Sequence, residues 1–203
     1  RDIYYNPTKG HYLSQYFGLT GGILGGSRDY IKLTSRADGY HTLFSIPLRD
    51  KFDLAMVVAA HSEISFVLPQ LDNDLVVTTN ALLTIDGMTI GRGWDDRYDY
   101  RSLWSSTLEL RMPIVRQFIW WSWFFDAVGA WPEPNGPASM TIDDFYFSYG
   151  GGLRFTIPGM PIRLYLAQPF RVIDGRVELE PGQIPLGPLE LTFVISITLP
   201  GSF

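Results

Sequence analysis

Cysteine is absent from the 203 residues, which excludes a disulfide framework and any thiolate metal site. Histidine is scarce. His11, His41 and His61 stand far apart without the spacing of a ligand pair, so no metal or other cofactor is expected. Charged residues make up only 18% of the chain, and the net charge of -5 comes without any basic block. That excludes the Lys/Arg stripe that nucleic-acid phosphates require. Gly-x-Ser-x-Gly does not occur, and no histidine has an evident serine and acid companion, so an enzyme is not expected. No run of about eighteen apolar residues is present, which excludes a membrane-spanning helix. The opening Arg1-Asp2-Ile3-Tyr4-Tyr5 is not followed by a continuous apolar segment and is no signal peptide. The chain is therefore expected to be processed or to be a piece of a longer one.

Apolar and aromatic residues are abundant, at 46% and 15%. Twenty glycines and fourteen prolines punctuate the chain into short segments, a β pattern rather than a helical one. Strands are expected over residues 11–23, 28–40, 52–63, 103–113, 118–131, 145–157, 162–170 and from 190 to the end. Each alternates between an apolar and a polar face. Phe145, Phe147, Tyr149, Leu153 and Phe155 point one way, while Ser148, Gly150, Gly152 and Arg154 point the other. Leu191, Phe193, Ile195, Ile197, Leu199 and Phe203 share one parity of the last strand. The expected fold is all-β, eight strands in an antiparallel meander.

A β-sandwich would alternate as well. A transmembrane β-barrel fits better for three reasons. The strands reach about ten residues, the length a tilted membrane-spanning strand needs. Trp104, Trp131, Tyr149 and Phe170 lie near strand ends, where interface girdles belong. Glu109, Arg111, Asp126, Arg154 and Arg163 stand in mid-strand, tolerable in a wet lumen but not in a sandwich core. Between about residues 69 and 101 the regularity lapses, and a connection so long is more often functional than idle. It carries Gly91-Arg92-Gly93-Trp94 and the acidic group Asp95, Asp96 and Asp99, whose spacing does not match a calcium loop.

Several markers, in order along essentially the whole chain, resemble the BamA/TpsB/Sam50-type outer-membrane assembly and transport barrels. They are Asn6-Pro7-Thr8-Lys9-Gly10, Gly21-Gly22-Ile23-Leu24-Gly25-Gly26 and Tyr30-Ile31-Lys32, followed by Gly91-Arg92-Gly93-Trp94 and Glu109-Leu110-Arg111-Met112-Pro113. After these come Phe124-Phe125-Asp126 with Trp131, Gly150-Gly151-Gly152-Leu153-Arg154, Pro161 to Phe170, and a closing strand ending in Phe203 like a C-terminal β-signal. Two departures stand out: Gly91 precedes the motif arginine where a hydrophobic residue is usual, and Gly129 lies three residues after Asp126 instead of two.

The resemblance implies that residues 1–203 are the C-terminal eight strands of a sixteen-stranded barrel, with 68–102 as a long extracellular loop directed into the lumen. It implies that Arg92 docks on the inner wall, and Asp126 and Glu109 share the lumen parity a carboxylate partner needs. The implied function is folding and inserting outer-membrane proteins through a lateral seam to which the last strand contributes. Pro200, with no N–H to give, and Gly201 would loosen that strand. The implied partners are outer-membrane lipid, nascent outer-membrane proteins, accessory assembly lipoproteins, and the missing N-terminal strands and POTRA domains. A two-partner secretion-type export pore and a passive outer-membrane barrel are the alternatives.

Overall fold

A computed structural model of the chain describes residues 7–21, 25, 29–49, 52–70, 81–115, 118–157 and 161–197. Among these, every regular element other than two short 3-10 turns is a strand. The strands are β1 (Gly10–Thr20), β2 (Tyr30–Arg49), β3 (Phe52–Pro69), β4 (Leu83–Ile85), β5 (Arg97–Tyr100) and β6 (Ser102–Val115). They continue with β7 (Ile119–Trp131), β8 (Phe145–Phe155), β9 (Ile162–Ile173), β10 (Arg176–Leu179), β11 (Ile184–Leu186) and β12 (Leu189–Ile197). One sheet runs β1-β2-β3-β6-β7-β8-β9-β12-β11, with β10 on β9, and β4 pairs with β5 separately. Every pairing is antiparallel. Among the described residues the sheet does not close, since β1 and β12 do not pair.

The eight expected strands are all present as the long members of this sheet, with altered ends. β1 stops at Thr20 instead of reaching 23, because Gly21 takes a φ of 77° and turns the chain. β2 continues to Arg49, well past 40, and a bulge between Thr42 and Phe44 keeps it in register with β3. β3 runs on to Pro69, past 63, where Ser65 on its inner face hydrogen-bonds Thr34 at 2.9 Å. Leu199, Pro200, Gly201 and Phe203 lie outside the described residues.

The period of two gives the sheet distinct inner and outer faces. Leu108, Trp123, Phe125, Leu166, Phe193, Ile195 and Ile197 are exposed on the outer face. Leu108 pairs with Phe125, and Phe193 with Leu166, so the apolar positions form continuous cross-strand rows. The inner face carries Ser105, Glu109, Arg111, Ser122, Asp126, Ser148 and Arg154, all buried. Residues of β2, β3, β6, β8 and β9 on this face line one cavity of about 600 Å³, so the sheet curls around it.

Of the four aromatics expected at strand ends, Tyr149 is exposed and Phe170 stacks on Phe147 at 5.3 Å between ring centres. Trp131 departs from the expectation. It is only 6% exposed, and a side-chain carbon at Gly136 in the following loop would collide with it.

β9 changes partner partway. Its residues 162–167 pair with β12 and 170–173 with β10. The break falls at Pro169, which has no N–H to donate. Gln168, completely buried, bridges the gap: its Nε2 donates to the carbonyls of Pro169 (3.0 Å) and Glu180 (2.9 Å), and its Oε1 accepts from the N–H of Glu190 (3.0 Å).

On β8, glycine keeps room for β9. A side-chain carbon at Gly152 would run into the Leu164 carbonyl and the Tyr165 ring, and one at Gly150 into the Leu166 carbonyl and the Phe124 ring. Gly152→Val is therefore expected to abolish folding, whereas Gly39→Ala, in β2 with open space around it, leaves folding intact. Heat-modifiable migration of the full-length protein in detergent gels reads both.

Candidate functional site: an arginine loop docked on the inner face

Residues 81–101 of the connection between β3 and β6 do not extend away from the sheet. β4 and β5 lie inside its curl, where Leu83, Ile85 and Trp94 pack on Val67, Leu103, Val128 and Ala130. The turn between these two strands is tied by Asp86. Its Oδ1 accepts from the main-chain N–H groups of Met88 (2.9 Å), Thr89 (2.7 Å) and Ile90 (2.7 Å), and its Oδ2 accepts from the Thr89 hydroxyl. Gly93 N–H closes the turn onto the Gly87 carbonyl at 2.8 Å. Gly93 has a φ of 88°, and a side-chain carbon there would press on Ala167 and Pro169 of β9. Glycine is thus required at this position for its backbone angle and for its contact with the wall.

The turn presents Arg92, only 4% exposed, to the inner face. Its Nε donates to Asp126 Oδ2 at 2.8 Å, and its Nη2 to Asp126 Oδ1 at 2.6 Å, a bidentate fork. Nη1 donates to Glu109 Oε1 at 2.7 Å, and the Arg92 main-chain N–H reaches Asp126 Oδ2 at 3.3 Å. The guanidinium also lies over two aromatic rings that meet edge to face, Phe124, 3.6 Å from Cζ to ring centre, and Tyr165, at 4.9 Å. Burial opposes the charge on Arg92. The Asp126 carboxylate, and then that of Glu109, outweigh it and hold the guanidinium above the ordinary arginine range.

Both acids have further partners. Asp126 Oδ1 accepts from the Thr107 hydroxyl at 2.8 Å, and Oδ2 from the Ser148 hydroxyl at 3.5 Å. Glu109 Oε2 accepts from Arg111 Nε at 2.7 Å and from Arg154 Nη1 at 2.6 Å. Trp94 anchors the other side of the turn. Its Nε1 donates to the Phe147 carbonyl at 3.0 Å, and its ring meets Tyr146 edge-on at 5.1 Å.

The candidate residues therefore fall into two groups. Gly91, Arg92, Gly93, Trp94, Glu109, Asp126, Gly150, Gly152 and Arg154 converge on one patch of the inner face. Phe193, Ile195 and Ile197 stand apart, exposed on the outer face of β12. Three contributors were missed by the sequence reading. Asp86 was legible as an Asp-Gly turn signal. Tyr165 and Gln168 carry no local signal, since their roles depend on what lies across the sheet.

An antiparallel sheet with an apolar outer face, a charged inner face and a loop folded against the inner side is the architecture that membrane β-barrels close. The chain belongs to the Omp85 superfamily, whose domain matches residues 1–187. It is also similar to a Treponema pallidum (strain Nichols) protein described as "Putative outer membrane protein assembly factor", at 27% identity over 228 aligned positions. That alignment takes in 98% of this chain but only 26% of the relative, so the chain spans about a quarter of its length.

Chemically the site is a latch, with both carboxylates hydrogen-bonded to donors from the loop and the wall. Arg92→Ala would leave the buried Asp126 without its counter-ion while Glu109 keeps Arg111 and Arg154, and breaking such a buried pair destabilises by about 3–5 kcal/mol. The expected result is release of the 81–101 segment, read as faster trypsin cleavage at Arg97 and Arg101 than in the wild type. Arg92→Lys keeps the charge but loses the bidentate fork, and its cleavage rate is expected to fall between the two.

Proposed function

We propose that this chain is the C-terminal eight-strand portion of a sixteen-stranded outer-membrane barrel, within a non-enzymatic machine that folds and inserts other outer-membrane proteins. Residues 68–102 act as its lumen-directed extracellular loop. What carries this reading is the docking of Arg92 on Asp126 and Glu109 within an Omp85 superfamily domain. The naming of the Treponema pallidum relative as an assembly factor supports it.

The open edges favour missing strands. Among the described residues β1 and the β12 end of the sheet have no closing neighbour, an arrangement lipid does not tolerate. Tyr12 and Tyr16 lie on the inner parity of β1, opposite Asp38 and Thr34, yet are 40% and 57% exposed. Further strands would cover them. Along β12, the Glu190 N–H turns toward β9. By alternation, the main-chain groups of Phe193, Ile195 and Ile197 face away from β9, toward the place a first strand would occupy. That edge is the proposed seam. Its neighbours in the working protein would be the N-terminal strands, client strands and lipid, with POTRA domains and accessory lipoproteins on the periplasmic side.

The test is exchange of the charges in the full-length protein, in cells depleted of the wild type. Arg92→Asp and Asp126→Arg are each expected to lower the folded, heat-modifiable fraction of several unrelated outer-membrane barrels severalfold. The double exchange is expected to recover part of the loss. If all barrels assemble normally while one secreted polypeptide is lost, the protein is an export pore instead. No recovery in the double exchange would remove the support for direct pairing.

A further inference from the structure

The inner face holds more cationic charge on one side than its acids neutralise. Arg92, Arg111 and Arg154 share Glu109 and Asp126. Arg163 stands directly opposite Arg154 in the β8–β9 register and has no carboxylate partner among the described residues. Four guanidiniums thus face two carboxylates whose oxygens are already occupied. Like charges placed opposite one another across a sheet repel. The other acids of this cavity, Asp38 and Glu63, lie on β2 and β3, where Asp38 holds Arg36 at 3.2 Å and His61 at 2.6 Å, and Glu63 is paired in register with Arg36. The acidic surplus is on that wall and the basic surplus on the β8–β9 wall, with the cavity of about 600 Å³ between them.

We propose that Arg154 and Arg163, with Arg111 beside them, form a binding site for a small tetrahedral dianion of the phosphate type. A dianion matches the two uncompensated charges, whereas a single carboxylate would leave one of them. Guanidinium forks suit tetrahedral oxyanions, each offering parallel N–H groups in a fixed plane. Burial raises the worth of such contacts above that of arginines in open water. The Tyr165 hydroxyl, which accepts from Arg154 Nη1 at 3.3 Å, gives a second polar group at the same place. Arg154 is one residue from the end of β8 and Arg163 one residue into β9, so the site lies at the short-turn end of the sheet. Its cavity is also lined by Met88, Thr89 and Ile90 of the Asp86 turn, and the site is independent of the assembly or export reading.

The experiment uses the folded full-length protein in detergent, titrated calorimetrically with inorganic phosphate at constant ionic strength set by chloride, with succinate as a parallel arm. Saturable phosphate binding is expected, weakened about tenfold or more in Arg163→Gln and unchanged in Arg171→Gln, at the far end of β9. No saturable binding by the wild type, or equal binding by Arg163→Gln, overturns the site. Succinate binding as tightly as phosphate overturns the tetrahedral class. A second reading needs no variant: phosphate is expected to protect Arg154 and Arg163 of the wild type from phenylglyoxal, scored by peptide mass, while Arg171 reacts at its usual rate. Unprotected Arg163 overturns the proposal as well.

Discussion

A guanidinium taken out of water must have its donors met, and Arg92 meets that demand from two neighbouring strands at once. Asp126 on β7 takes the Nε–Nη2 edge and Glu109 on β6 takes Nη1. This geometry can be satisfied only if β6 and β7 are in their observed register, in which Thr107 faces Asp126 and Glu109 faces Phe124. A slip of either strand by one residue would move its acid to the outer face. The salt bridge is weak evidence of stability in itself, because desolvation offsets much of the attraction. Its value lies in coupling the loop's position to the register of the wall. The Phe124 and Tyr165 rings then restrict the guanidinium plane.

The glycines of β8 belong to the same construction. Tyr165 reaches Arg92 because its ring passes over Gly152, and Phe124 does so because it passes over Gly150. Any side chain at those positions would meet both a ring and a carbonyl of β9. The glycine-arginine pattern on β8 and the arginine turn of the loop are far apart in sequence, yet they are two parts of one packing problem. A loop arginine set against a pair of aromatic rings requires a strand thin enough to leave those rings room.

Much of this was legible in the sequence, because it follows from a period of two. The all-β class, the eight long strands, and the common face of Glu109, Asp126 and Arg154 come directly from alternation. Strand ends were less legible. The continuation of β2 beyond Tyr40 depends on a bulge at Thr42 that lets Phe44 pair with Met56, and a bulge leaves no mark in the pattern of apolar residues. Within the loop, β4 and β5 are three and four residues long, too short for alternation to register. Their stability comes from the contacts of Leu83 and Ile85 with Val128 and Ala130, which are distant in sequence. Gln168 was invisible for a related reason. Its parity assigns it to the outer face, where Tyr149 is its cross-strand partner, yet it is completely buried because the chain after β10 closes over it.

That burial bears on how the open edge is built. Where Pro169 withholds an N–H, the Gln168 amide supplies hydrogen bonds that the main chain cannot, and β9 divides between β10 above and β12 below. β11 then folds back on the opposite edge of β12, pairing Ile184 with Leu191 and Leu186 with Leu189. The upper part of β12 is therefore held on both edges, and from Thr192 onward it is held only by β9 among the described residues. An unpaired strand edge invites pairing with another chain. Here the short β11 sets an upper limit on how much of that edge an incoming strand can use. The inner face is fixed by an ionic latch, while among the described residues the free edge of β12 runs from Thr192 to Ile197. The latch and the edge thus follow opposite rules, one with the acids held by internal partners and one with main-chain groups left to be satisfied from outside.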